Sequence, residues 1–203
     1  MRTYVSMQVP DARAYSYLLG LYLGDGAVSA YRRTYGLRIT LDEAYPEIIA
    51  DARAAVQLVA LDARVTVRDV RGARCVQVAC HWPRWPEAFP QHGPGRKHER
   101  HIALVPWQQE IVDGHPWAFL RGLLHSDGCR TINRFSIRLP SGRVQQYAYP
   151  RWFFSNRSED ILGLFCATCD RVGVCWTRSI ERNVSVSRRP SVALLEEHVG
   201  AKR

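Results

Sequence analysis

Residues 17–26 read Tyr17-Leu18-Leu19-Gly20-Leu21-Tyr22-Leu23-Gly24-Asp25-Gly26, and residues 119–128 read Phe119-Leu120-Arg121-Gly122-Leu123-Leu124-His125-Ser126-Asp127-Gly128. They align without a gap at an offset of 102 residues. Each carries an aromatic residue, a Gly-Leu pair and a small residue before Asp-Gly. On a helix, Gly20 and Gly24 share one face, as do Gly122 and Ser126. Small residues at that spacing let two helix backbones approach closely. The spacing predicts helices over about 14–25 and 116–127 that cross at these positions, with Gly26 and Gly128 expected in the left-handed conformation that ends many helices.

A second echo places the only two lysines of the chain. Residues 92–97 read His-Gly-Pro-Gly-Arg-Lys and residues 198–202 read His-Val-Gly-Ala-Lys, so Lys97 lies 72 residues after Asp25 and Lys202 lies 75 after Asp127. Two echoes in one order indicate a duplicated unit. The repeats are taken as residues 12–113 and 114–203. Between the anchors both halves read alike. Leu37, Ile39 and Leu41 alternate with Arg38 and Thr40 as in a half-buried strand, and Phe135, Ile137 and Leu139 alternate with Arg134, Ser136 and Arg138. Pro140-Ser141-Gly142 signals a turn before a strand from Val144 to Phe154. Helices are expected over about Tyr45–Ala60 and Ser158–Val172, the latter with Ser158 as N-cap. Strands are expected at Arg64–Val70, Cys75–Cys80, Val174–Ile180 and Asn183–Ser187.

Composition sets the class of partner. The 203 residues are 46% hydrophobic and 23% charged, values of an ordinary folded protein. Lys and Arg total 28 against 19 Asp and Glu, a formal charge of +9 that favours polyanions. Tyr17 to Leu23 is too short an apolar run to cross a bilayer. Met1-Arg2-Thr3-Tyr4 shows no apolar signal core, so no membrane association and a cytoplasmic location are expected.

An aspartate in the last turn of each helix faces the negative end of the helix dipole, at a cost of about 0.3–1 kcal/mol. Pairing the helices also brings two carboxylates together, which disfavours their joint ionisation. A divalent cation resolves both conflicts, and oxygen ligands favour Mg²⁺, with Mn²⁺ as a substitute. At these residues the chain resembles the LAGLIDADG homing endonucleases of the single-chain, two-motif type. Leu18 to Gly26 and Leu120 to Gly128 each fit the nine-residue motif, and the repeats cover nearly the whole chain.

The resemblance implies an α/β (α+β) fold of two pseudo-symmetric αββαββα-type repeats, with antiparallel sheets forming a saddle on double-stranded DNA. It implies a monomer acting as a pseudo-dimer. Asp25 and Asp127 would bind metal and cleave phosphodiester bonds, with the carbonyls of Gly24 and Ser126 completing the coordination. Lys97 and Lys202 are the candidates for the basic residues that stabilise the phosphate. The hairpins would read DNA through Arg32, Arg33 and Arg38 in the first half, and through Arg130, Asn133, Arg134, Arg138, Arg143, Gln145 and Gln146 in the second. Arg38, Arg134 and Arg138 are expected to point from one concave surface. The alternative activity is that of a cleavage-inactive DNA-binding regulator or an RNA-splicing maturase.

Other constellations are read as structural. Cys166 and Cys169, with Cys75, Cys80 and His81 as conceivable partners, are expected to be buried thiols rather than a zinc site. His92, His98 and His101 are expected to line a basic loop near Lys97, which Pro83 to Pro86 joins to the sheet. Trp82, Trp85 and Trp107 are expected in packing.

Overall fold

The computed structural model describes residues 7–200 and 202, apart from the side chain of Ser179. The Met1–Tyr4 stretch considered above lies outside the described residues. Helix α1 (Ala12–Asp25) starts where the Asp11 carboxylate accepts from the Ala14 amide at 2.8 Å. Its residues 15–23 are all buried, so the helix is apolar around its circumference and sits at the centre. Helix α5 (Pro116–Asp127) begins with Pro116, whose missing N–H costs nothing in the first turn. The two helices pack together at their glycines. A Cβ on Gly20 would lie 2.5 Å from the Phe119 carbonyl oxygen and 2.9 Å from Gly122 Cα. Only glycine permits this approach.

A hairpin follows each helix at once: β1 (Gly26–Ala30) with β2 (Tyr35–Asp42), and β5 (Gly128–Arg138) with β6 (Val144–Ser155). Then come α2 (Pro46–Val59), β3 (Val65–Asp69) and β4 (Cys75–His81) in the first half, and α6 (Glu159–Arg171), β7 (Thr177–Ile180) and β8 (Asn183–Val186) in the second. The antiparallel sheets have equivalent orders, β1-β2-β4-β3 and β5-β6-β8-β7. Strand alternation places Leu37, Ile39, Leu41, Val76, Val78 and Cys80 on the buried face of the first sheet. In the second sheet Trp152, Phe154, Val184 and Val186 take those roles, and Phe154 stacks on Phe165 of α6 at 4.4 Å.

Two expectations need correction. Gly26 and Gly128 are extended, with φ −87° and −88°. They are glycine for want of space: a Cβ would lie 2.5 Å from Tyr22 Cα in the first case and 2.6 Å from Leu124 Cα in the second. The last stretch of the first half, expected to be a loop around Pro83 to Lys97, is also more ordered than its text suggests. It holds the short helix α3 (Trp85–Ala88), a 3₁₀ turn at Lys97–Glu99, and α4 (Pro106–Gly114). Gln108 of α4 is buried and donates to Tyr15 Oη at 2.6 Å, while Tyr15 donates to the Ala88 carbonyl at 2.6 Å. Helix α7 (Arg189–His198) closes the second half with Val192 and Leu195 inward. Trp85 and Trp107 are buried and Trp82 packs edge-on to Trp85 at 5.1 Å, as expected for packing residues. No helix among the described residues is long and apolar enough to cross a membrane.

Candidate functional site

Asp25 and Asp127 are the last residues of α1 and α5, so the glycine crossing that joins the helices also carries both carboxylates to one locus. Their placement is crossed. A Cβ on Gly24 would lie 3.0 Å from Asp127 Oδ2, so the carboxylate from the second half abuts the helix end of the first. Two clefts open there. One, of about 390 Å³, is lined by Gly24, Lys97, Asp127 and Asn156; the other, of about 280 Å³, by Asp25, Asp42, Ser126 and Lys202. Each pairs an aspartate of one half with the carbonyl-bearing residue and lysine of the other.

The lysines cap the helices. Lys97 Nζ donates to the carbonyls of Tyr22, Leu23 (2.8 Å) and Gly24 (2.8 Å). Lys202 Nζ donates to those of Ser126 and Gly128, each at 3.1 Å. A cation belongs at the negative end of a helix dipole. The ring of Tyr22 lies 5.1 Å from Lys97 Nζ, and that of Tyr45 lies 5.3 Å from Lys202 Nζ.

Burial dominates the electrostatics. It pushes Asp25 up to about 6, helped by the charge of Asp127 and opposed by Lys202 and Lys97. Asp127 is also raised by burial, against the Asn156 hydrogen bond and the two lysines. Burial holds Lys97 down to about 8, against the pull of both carboxylates, and lowers Lys202 in the same way. The locus therefore resists carrying bare charge of either sign.

The halves differ in detail. Asn156 Nδ2 donates to Asp127 Oδ2 at 2.7 Å, while its Oδ1 accepts from the Ser158 amide at 2.7 Å and shapes the start of α6. Asp25 has instead the exposed Asp42 across its cleft. Arg157 and Arg182 line the Asp127 cleft only. Nothing in the local sequence marks Asn156, because its role depends on β6 ending beside Asp127. Replacing it with Ala should raise the Asp127 pKa further and cost about 1–2 kcal/mol through lost hydrogen bonds. Thermal melts in chelator check this, and an unchanged midpoint would discount the bond.

The protein donors suit a hard divalent cation. Two carboxylates and two backbone carbonyls are all oxygen, and a set this small leaves most positions to water or phosphate oxygen, as Mg²⁺ prefers. Among the described residues no three His, Cys, Asp or Glu gather at one point. The six cysteines are free thiols, and burial raises the pKa of Cys80, Cys166 and Cys169, disfavouring the thiolate that binds zinc. A larger cleft, of about 590 Å³, lies at the opposite ends of α1 and α5, where Arg121 pairs with Asp51 at 2.7 Å.

No protein-family model matches the sequence, and no curated protein does. Solved structures do match. I-DmoI in complex with DNA and Mn is 15% identical, with a TM-score of 0.59 over 94% of this chain and 98% of that one. The LAGLIDADG meganuclease I-AabMI bound to uncleaved DNA is 11% identical, with a TM-score of 0.54 over 91% of this chain and 82% of that one. Full-length DUF199/WhiA from Thermatoga maritima is 16% identical, with a TM-score of 0.59 over 95% of this chain but 56% of that one. This chain has the LAGLIDADG homing endonuclease fold.

On the LAGLIDADG fold of this chain, the continuous register of β5 with β6 sorts the candidate DNA-reading residues. Arg130 lies opposite the buried Trp152 and pairs with Glu196 of α7 at 2.6 Å, so it serves the helix side. Strand parity puts Arg134, Arg138 and Gln146 on the same face as Arg130, whereas Arg38 sits on the outward face of the first sheet with Thr40 and Gln77. The expectation of one surface shared by Arg38, Arg134 and Arg138 fails because Trp152 and Phe154 of β6 take the helix side, and the register puts Arg134 and Arg138 on that same side. Asn133 and Gln145 do face outward. Arg32, Arg33 and Arg143 are exposed in the turns between strands. Two arginines that no sequence pattern singles out also lie here: Arg151 faces outward and donates to Ser185 Oγ at 2.7 Å, and the Arg189 guanidinium lies 4.6 Å from the Tyr149 ring. Of the histidines, His98 lines the Asp127 cleft, His92 Nδ1 contacts the Phe89 carbonyl at 3.2 Å, and His101 pairs with Asp160 at 3.0 Å.

Proposed function

We propose that this chain is a site-specific, divalent-metal-dependent endonuclease for double-stranded DNA, a monomer whose repeats, residues 12–113 and 114–203, act as a pseudo-dimer. One observation carries this reading: the helix crossing delivers one aspartate from each half to a single half-buried locus, and each aspartate shares a cleft with the other half's lysine. The fold and the +9 charge support DNA as the polyanion.

Asp127 with the Gly24 carbonyl, and Asp25 with the Ser126 carbonyl, would hold Mg²⁺ or Mn²⁺. A cation there would activate water and neutralise charge on the cleaved phosphate. Lys97 and Lys202 hold positive charge at the helix ends beside the two aspartates, where they would stabilise the phosphate. Asn156 orients the Asp127 carboxylate.

A duplex library selected for binding, then incubated with Mg²⁺, Mn²⁺ or EDTA, tests the reading. Double-strand cuts in metal and none in EDTA are expected. Binding should weaken steeply with salt, about tenfold or more between 50 and 200 mM, because arginine–phosphate contacts release counterions. An affinity indifferent to salt would argue against the basic faces as the contact. The alternative, a non-cleaving regulator or maturase, has one observation in its favour: both carbonyls already accept from lysine. Tight duplex binding without cutting in either metal would select it.

A further inference from the structure

The second hairpin is longer than the first, with strands of 11 and 12 residues against 5 and 8. Phe154 and Trp152 face the helices, so the opposite parity points away from them. That outward face pairs Asn133 with Tyr149, Phe135 with Tyr147 and Ile137 with Gln145. Phe135 is 41% and Ile137 45% exposed, where a solvated strand face would be polar. Phe135 stacks on Tyr147 at 5.3 Å, and Tyr147 on Tyr149 at 5.9 Å, so the strip is continuous. Arg151 and Arg189 flank it. The outward face of the first sheet is polar, with Arg38, Thr40 and Gln77, and its hairpin, whose last pair is Ala30 with Tyr35, ends before any position equivalent to Phe135 and Tyr147.

We propose that Phe135, Ile137, Tyr147 and Tyr149 form an apolar reading strip for the 5-methyl groups of thymine in one half of the DNA target. The proposal rests on the DNA-binding reading above. An apolar strip bordered by arginines needs a partner with anionic edges and an apolar interior. A two-stranded ribbon fits the major groove, where the thymine methyl is the one apolar feature on a base edge. The polar first sheet is suited to hydrogen-bond readout, so the halves read their bases by different chemistry. Uracil lacks the methyl, so the strip also favours DNA over RNA.

The test is deoxyuridine scanning of a selected duplex, replacing each thymine in turn and measuring affinity for the wild type and for Phe135→Ser. Each methyl lost beneath the strip should weaken wild-type binding about fourfold, the effect of re-exposing one buried methyl-sized group. The penalties should cluster in one half-site and fall below about twofold in Phe135→Ser, while other thymines stay neutral. Three results overturn the inference with DNA binding intact: a selected site without thymines in either half, tight binding indifferent to deoxyuridine, or penalties unchanged in Phe135→Ser. A variant that weakens thymine and deoxyuridine duplexes equally would assign the aromatics to stiffening the hairpin. A dimer of the wild type broken by Phe135→Ser, with deoxyuridine neutral, would assign the strip to self-association. If no duplex is selected at all, the DNA-binding reading fails and this inference with it.

Discussion

Gly122→Val should abolish or severely reduce folding, with a loss of about 4 kcal/mol or more, near the whole stability of a small domain. A Cβ at Gly122 collides with the Tyr17 carbonyl oxygen and would lie 2.9 Å from the Leu21 amide nitrogen and 3.0 Å from Gly20 Cα. All three are backbone atoms of a buried helix, so no rotamer change relieves the clash. Either α1 and α5 separate, opening the core, or the chain stays unfolded. Gly163→Ala is the matched control. Gly163 is exposed in α6 with nothing within 4 Å of its Cβ position, so alanine there should stabilise by about 0.5–1 kcal/mol through helix propensity. Denaturant midpoints of the two variants test the crossing. A Gly122→Val protein as stable as wild type would mean that the helices do not meet there.

Asp25→Asn and Asp127→Asn should each cut a selected duplex at least about a hundredfold more slowly than wild type, while binding it within a few-fold. A single locus fed by one carboxylate from each half has no spare group. The same substitutions have a stability signature in chelator. The folded chain holds the Asp25 proton more tightly than the unfolded chain, with a pKa near 6 against 3.8. The contribution of this group is therefore fully present below pH 3.8 and is lost as pH rises through about 6. Asn carries no charge to desolvate, so Asp25→Asn should be more stable than wild type at pH 7, by about 1–3 kcal/mol, and equal to it below pH 4. Wild-type cutting rates in both variants would sink the shared-carboxylate mechanism. A loss of stability at pH 7 would show instead that Asp25 is held by favourable partners.

The sequence alone determined the parts that depend on local pattern. Gly20 with Gly24 and Gly122 with Ser126 mark helix faces of minimal side-chain bulk, and such faces have few uses besides close backbone contact. The repeat of Asp-Gly and of the two lysines carried the pseudo-symmetry. Ser158 before an apolar period gave the start of α6. Helix α4 stayed hidden because its buried face includes Gln108, whose hydrogen bonds to Tyr15 and Gln91 form only after folding, so no apolar period announces it. Gly26 and Gly128 were legible as required glycines but not for the right reason. Their φ is ordinary, and the demand comes from Tyr22 and Leu124 one turn back.

Only the tertiary structure decided the rest. Parity along β5 is fixed by which residues of β6 meet the helices. Trp152 and Phe154 bury, and that choice turns Arg130, Arg134 and Arg138 to their side while Phe135 and Ile137 face outward. A one-residue slip would reverse every assignment, and arginine and phenylalanine alternating on an exposed hairpin do not say which is which. Lys97 and Lys202 could be placed in matching positions by counting, but their partners could not. They meet the carbonyl ends of α1 and α5 because the last carbonyls, those of Gly24 and Ser126, lie past the helical hydrogen-bond ladder, and the chain returns there from 72 and 75 residues away. Asn156 reaches the Asp127 carboxylate because β6 ends beside it. Hydrogen bonding across such separations is set by where the elements pack, and local pattern carries no record of it.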